Sequence, residues 1–178
     1  ERIQVYFIDN DEYFKRKATL TDENGVFVFN LVPPGRHLLF VDNLGFEIDE
    51  ILNIKVPIEI DIIGDREASL NLLVTKGARL QGQFISNDKL DKREGIVVEL
   101  KNELEEYRIS TKADGQFSFP LVRPGSYSFK VFTSTLPDGY ETEQSEFNLE
   151  LESSRNMDVK LELVKKERKI KFSSQSFV

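Results

Sequence analysis

The sequence predicts an all-β chain built from two tandem sandwich modules, and three observations carry that prediction. A fifteen-residue run near the start recurs ninety residues later. Apolar side chains alternate at period two through many short stretches. Asn-Gly, Asp-Gly and Pro-Gly pairs punctuate those stretches. Period-two alternation places successive apolar side chains on one face of a strand. Many short strands separated by turn signals point to a sandwich or barrel.

The repeat is the strongest of the three. Residues 21–35 read TDENGVFVFNLVPPG and residues 111–125 read TKADGQFSFPLVRPG, identical at eight of fifteen positions. A period of that length marks a duplicated domain rather than a short solenoid repeat.

Taken in chain order, residues 3–8 alternate as a strand and answer residues 96–101 of the second copy, across a longer connection in the first. Tyr13 and Phe14, beside Asp11 and Glu12, read as a hairpin tip where a ligand loop could sit. Asn24-Gly25 is a turn signal, because both residues tolerate positive φ. Phe27, Phe29 and Leu31 then read as one face of a strand, and Pro34-Gly35 ends it with a reversal into residues 36–41. Residues 58–62 alternate cleanly; residues 70–74 do so less strictly.

The module boundary falls at Lys76-Gly77. This gives module one as residues 1–77, module two as 78–166 and an extension of 167–178. Residues 78–85 open module two with a strand. Module one has no equivalent, so it is expected to lack its N-terminal strand or to borrow one from a neighbour, and the chain reads as a piece of something longer. The junction is short and not Ser/Gly-rich, so the modules are expected to sit semi-rigidly end to end. In module two, Phe117, Phe119 and Leu121 repeat the strand of module one, and Asp114-Gly115 and Pro124-Gly125 repeat its turns. Residues 147–151 and 157–163 alternate as further strands. The best helical stretch, residues 102–106, is too short to count.

The repeated run, with Thr135-Leu136-Pro137-Asp138-Gly139-Tyr140 after it, resembles the carboxypeptidase regulatory-like domains and the B-type repeats of Gram-positive surface adhesins. That resemblance implies a prealbumin-like (transthyretin-like, Ig-like) sandwich in each module. It also implies a non-catalytic spacer or protein-interaction role in a secreted or cell-surface bacterial protein. Some adhesin repeats close a Lys–Asn isopeptide bond. Asn156 could supply the Asn, but residues 78–85 contain no Lys. Others bind calcium after the first strand. Here Asp88, Asp91 and Glu94 are the candidate ligands, in a loop interrupted by Lys89, Lys92 and Arg93. Calcium requires six to eight oxygens, and the expectation is a solvated charged loop with no cofactor.

Composition narrows the function further. The chain carries 31 acidic and 24 basic residues, for a net charge of −7, against nucleic-acid binding. It has no Cys, hence no disulfide framework and no thiolate metal site. No stretch approaches the ~20 apolar residues of a membrane helix. The single His, His37, takes the position of Tyr127 and is expected to replace it structurally. No Gly-x-Ser-x-Gly elbow or phosphate-cradling loop is present. Glutamates at 103, 105 and 106 and at 141, 143 and 146 read as exposed strand faces. An enzyme is therefore not expected.

Two alternatives to the spacer stand: a carbohydrate-binding module, or an accessory domain packed on an enzyme or outer-membrane complex. Sugar platforms use exposed aromatics, for which Tyr6, Tyr13, Phe14, Tyr107 and Tyr140 are candidates without any Trp. A protein partner or a neighbouring domain is favoured by Val26 and Val28. They lie where module two has Gln116 and Ser118, so one outer face of module one is apolar.

Overall fold

A computed structural model describes residues 3–9, 12–64, 66–87 and 92–166. These residues form fourteen strands and two short 3₁₀ turns. The first half carries β1 (Gln4–Asp9), β2 (Glu12–Leu20), β3 (Gly35–Val41), β4 (Glu50–Leu52), β5 (Ile58–Ile62) and β6 (Val74–Lys76). The second half carries β7 (Arg79–Ile85), β8 (Val97–Lys101), β9 (Glu106–Ser110), β10 (Gln116–Ser118), β11 (Gly125–Val131), β12 (Tyr140–Thr142), β13 (Glu146–Leu151) and β14 (Asn156–Lys165). Among these strands, no ladder joins the two halves.

The second half is a complete sandwich. One sheet runs β10-β7-β14-β12 and the other β13-β11-β8-β9. Period-two alternation turns Leu80 and Phe84 of β7, Val98 and Leu100 of β8, Phe129 and Val131 of β11, and Leu161 and Leu163 of β14 into a shared interior. Phe117 of β10 packs against both Phe84 and Phe129. Each aliphatic or Phe side chain removed from water in this way contributes roughly 1.5–3 kcal/mol. The centre of β7 has to be glycine: a Cβ on Gly82 would lie 2.3 Å from the Val159 carbonyl oxygen and 2.5 Å from the Phe117 ring.

The first half repeats this plan incompletely. One sheet runs β2-β1-β3-β5, matching β9-β8-β11-β13, and β4 pairs with β6 as β12 pairs with β14. Among the described residues, its buried cluster is Val5, Phe7 and Leu39, with Phe27, Phe29, Val32, Ile58, Ile60, Leu70 and Leu72 half-buried around it. The strand expected over Phe27, Phe29 and Leu31 does not form. Residues 26–30 keep the alternation, Phe27 and Phe29 inward and Val26 and Val28 outward, but join no ladder. The reason lies in the copy. β10 exists by pairing with β7, and the described first half has no counterpart of β7, so residues 26–30 have no strand to pair with. Leu31 leaves the pattern altogether, at φ 57° and 92% exposed. The ladder expected over Phe27 and Phe29 is therefore missing for want of a neighbour among the described residues.

The identities within the repeat have local causes. Thr21 and Thr111 are both buried, and each hydroxyl accepts from the backbone N–H that opens the neighbouring strand, Ile3 at 2.9 Å and Ile96 at 3.0 Å. The Asp22 carboxylate accepts from Asn24 and Val26 and the Asp114 carboxylate from Gln116, closing the two Gly turns. Gly35 and Gly125 hold φ of 136° and 145°, a region side chains other than glycine rarely adopt.

Candidate interaction surface

Two regions bring functional side chains together: the outer face of the first half and the junction between the halves. On the outer face, Val26 is 54%, Val28 60% and Leu73 65% exposed. The register of β4 on β6 and of β12 on β14 aligns Lys76 with Lys165 and hence Leu73 with Glu162. The second half thus presents Gln116, Ser118 and Glu162 where the first presents two valines and a leucine. Behind this face, Phe29 meets Phe7 edge-on at 4.9 Å and Phe27 at 6.0 Å, holding the segment against the core without a ladder.

At the junction, Lys76-Gly77-Ala78 passes from β6 to β7 with backbone bonds on both sides. Gly77 N–H donates to Asp49 O at 2.8 Å, and Ser154 N–H donates to Gly77 O at 3.0 Å. Ala78 bridges Val122 in both directions. Lys76 is clasped by Glu47 and Asp49, which raise its pKa, the Asp49 hydrogen bond most of all. Arg123 then ties the halves directly. Its guanidinium donates to Leu52 O at 2.9 Å and Ile54 O at 2.8 Å of the first half. It also pairs with the Glu105 carboxylate; the two side chains are only 12% and 7% exposed. Glu105 additionally accepts from Tyr107 at 3.1 Å and from the Tyr127 hydroxyl. Burial, and then the Glu105 carboxylate, push both tyrosine pKa values up.

This cluster was not read from the sequence. Glu105, expected on an exposed face, is buried at its hub, because the Asn102 side chain caps a tight turn that carries Glu105 inward. The available signal was Arg123, a lone basic residue where the first copy has Pro33. His37 stands where Tyr127 stands and makes the matching bond. Its Nε2 lies 2.8 Å from Pro33 O, as the Tyr127 hydroxyl lies 2.9 Å from Arg123 O. Both side chains latch a strand to the carbonyl four residues upstream, and His37 is 3% exposed.

The other sequence candidates are scattered. Of the calcium set, Asp88 and Asp91 lie outside the described residues and Glu94 is exposed. Among the described residues no group of three or more His, Asp or Glu is placed to hold a metal. Tyr13 and Phe14 lie within β2, which pairs with β1. Three aromatics considered as exposed are engaged instead: Tyr140 is buried, Tyr107 is half-buried on Glu105, and Tyr6 stacks on Phe40 at 5.2 Å. Among the described residues, no helix is long and apolar enough to cross a membrane.

The fold and these two regions define a class: a β-sandwich unit linked through a built junction to a sister unit. The family model for the second β-sandwich domain of the NOMO1-like BOS complex subunit matches residues 75–172. That is more than half of the sequence, and the chain belongs to this NOMO1-like β-sandwich family. No curated protein matches it. Among solved structures, the minor pilin GBS52 of Streptococcus agalactiae is similar at 15% identity, over 98% of this chain and 86% of that one, with a TM-score of 0.46. The Bacillus anthracis TIE protein is similar at 14% identity, over 91% and 34%, with a TM-score of 0.42. A streptococcal ancillary pilin is similar at 14% identity, over 94% and 57%, with a TM-score of 0.39.

Proposed function

We propose that this chain is a non-catalytic interaction unit, two sandwich domains divided at residue 77, that holds its place in a larger protein assembly. The observation that carries this reading is the apolar outer face of Val26, Val28 and Leu73, set against the polar counterpart in the second half. An apolar outer face of this kind marks an interaction site. The Arg123 junction supports the reading, because it fixes the direction in which that face is presented. The family's description as a complex subunit favours an accessory unit in an assembly over a glycan-binding module. The resemblance to adhesin repeats extends the proposal to an extracytoplasmic setting, extracellular or at a cell surface. The carboxypeptidase regulatory-like kinship belongs to the same proposal, and calcium has no part in it.

Val28→Lys in the parent protein tests this. The expected outcome is loss of assembly, read by co-elution with partner subunits, with the thermal melt unchanged. Unchanged assembly would overturn the reading.

A further inference from the structure

The outer face is one property of residues 26–30; their unpaired backbone edge is another. Among the described residues, no backbone hydrogen bond joins residues 27–30 or 67–72 to any segment. Both stretches are nevertheless dressed as strands. Phe27, Phe29, Leu70 and Leu72 point inward and are half-buried, while residues 26, 28, 71 and 73 point out. In the second half, the matching stretches flank a single strand. β10 lies antiparallel to β7 on one side, with Phe117 opposite Gly82. β14 lies parallel to it on the other, from Asn156 opposite Arg79 to Glu162 opposite Ile85. By this correspondence, the two unpaired edges of the first half stand where the second half has the two neighbours of β7.

We propose that these edges bound a strand-acceptor slot. Its occupant is an extended segment of the longer polypeptide ahead of β1, running parallel to residues 67–73 and antiparallel to residues 26–28. The second copy argues for this source. There the filling strand lies directly ahead of β8, the counterpart of β1, and is joined to it by one loop. The second copy also specifies the chemistry. Inward positions alternate as Leu80, Gly82 and Phe84, and the outward ones are polar except at the end. The middle inward residue has to be glycine, since in the second half a Cβ there would meet both the neighbouring strand's carbonyl and the Phe117 ring. Phe27 is the counterpart of Phe117, so the same limit applies to the slot. Main-chain ladders on both sides supply affinity, and the alternate side chains supply selectivity, as in other cases of strand addition. Leu31 fits this course. Its counterpart Leu121 closes over Gly77, the residue just ahead of the second copy's first strand, so Leu31 stands where an incoming strand would pass.

The test uses the 178-residue chain and, as probe, a peptide of residues 78–85, ARLQGQFI. Amide exchange is followed at residues 27–30 and 67–72. In the chain alone these amides should exchange rapidly. Saturating peptide should slow them at least tenfold and raise the melting temperature of the first half, whereas the Gly→Val peptide, ARLQVQFI, should do neither. In a longer natural protein that includes the segment ahead of β1, the same amides should already be protected and the probe should not bind. Protection in the chain alone would mean that the slot is filled from within residues 1–178 or by a second copy, and would overturn the proposal. Equal action of the two peptides, no action by either, or rapid exchange in the longer protein would also overturn it. None of these readouts depends on Val28→Lys, whose effect concerns the outer face.

Discussion

The two halves of this chain share a plan, a turn chemistry and a latch, yet one has an interior and the other has little more than a sheet with side chains gathered on it. Among the described residues, the second half seals sixteen into a single core and the first seals three. The difference traces to one strand. β7 supplies Leu80 and Phe84 to the interior and, by its two ladders, turns its neighbours into strands as well. Without its counterpart, residues 27–30 and 67–72 keep the sequence of strands but join no ladder. Alternation alone therefore sets which way side chains point, while a ladder needs a partner on at least one side.

The largest expected effect tests the interiors directly. Phe129→Ala should cost about 3–5 kcal/mol of the second half's stability, because its ring is fully buried among Phe117, Phe119 and Phe147 and the cavity cannot collapse. Leu39→Ala, at the matching position, should cost roughly 2 kcal/mol, the low end for such a change, since its neighbours are half-buried and free to close in. Chemical denaturation followed by residue-resolved exchange separates the two. Equal costs would break the comparison.

The next effect uses what the halves share. Gly35→Val and Gly125→Val place a side chain at φ 136° and 145°, with no heavy atom within 4 Å of the new Cβ at either site. The cost is backbone strain alone, about 1–3 kcal/mol in each case. In the second half this should only lower the melting temperature. In the first, the same cost should abolish the cooperative transition. A melt unchanged by either substitution would show that strain is relieved elsewhere.

The smallest effect sharpens the latch. The folded Tyr127 hydroxyl holds its proton above the ordinary tyrosine value of 10, because of burial and the Glu105 carboxylate. Unfolding therefore releases a proton once the pH passes that value. The Tyr127 share of stability is complete below pH 10 and falls as the pH rises further. Tyr127→Phe should cost about 1 kcal/mol at neutral pH, for the lost hydrogen bond, and should flatten the alkaline loss. The raised pKa of Lys76 acts in the same direction, so the measurement is the difference between the wild type and Tyr127→Phe across pH 9–11.

The sequence made the strand faces and the Gly turns legible, because each is a local pattern with a local cause. The failure at residues 26–30 was not local: Phe27 and Phe29 read the same as Phe117 and Phe119, and only the absent neighbour separates them. The site was less legible. Val26 and Val28 stood out because comparison of the copies exposed them. Glu105 did not, because a glutamate among glutamates gives no sign that a turn will carry it under an arginine 18 residues away. Arg123 reaches carbonyls 69 and 71 residues back, contacts no spacing rule anticipates.

The parallel pairing of β7 with β14 has a mechanical consequence. These are the first and last strands of the second half, lying side by side over seven matched residues. Tension applied through the chain pulls the start of β7 and the end of β14 in opposite directions along the ladder. The hydrogen bonds are then loaded together in shear, not opened one by one, and the load required to break them is correspondingly high. Among the described residues, the first half shows no such clamp. Under tension it would yield first, and a strand seated between residues 26–30 and 67–73 would convert it from the weak link into a second clamp.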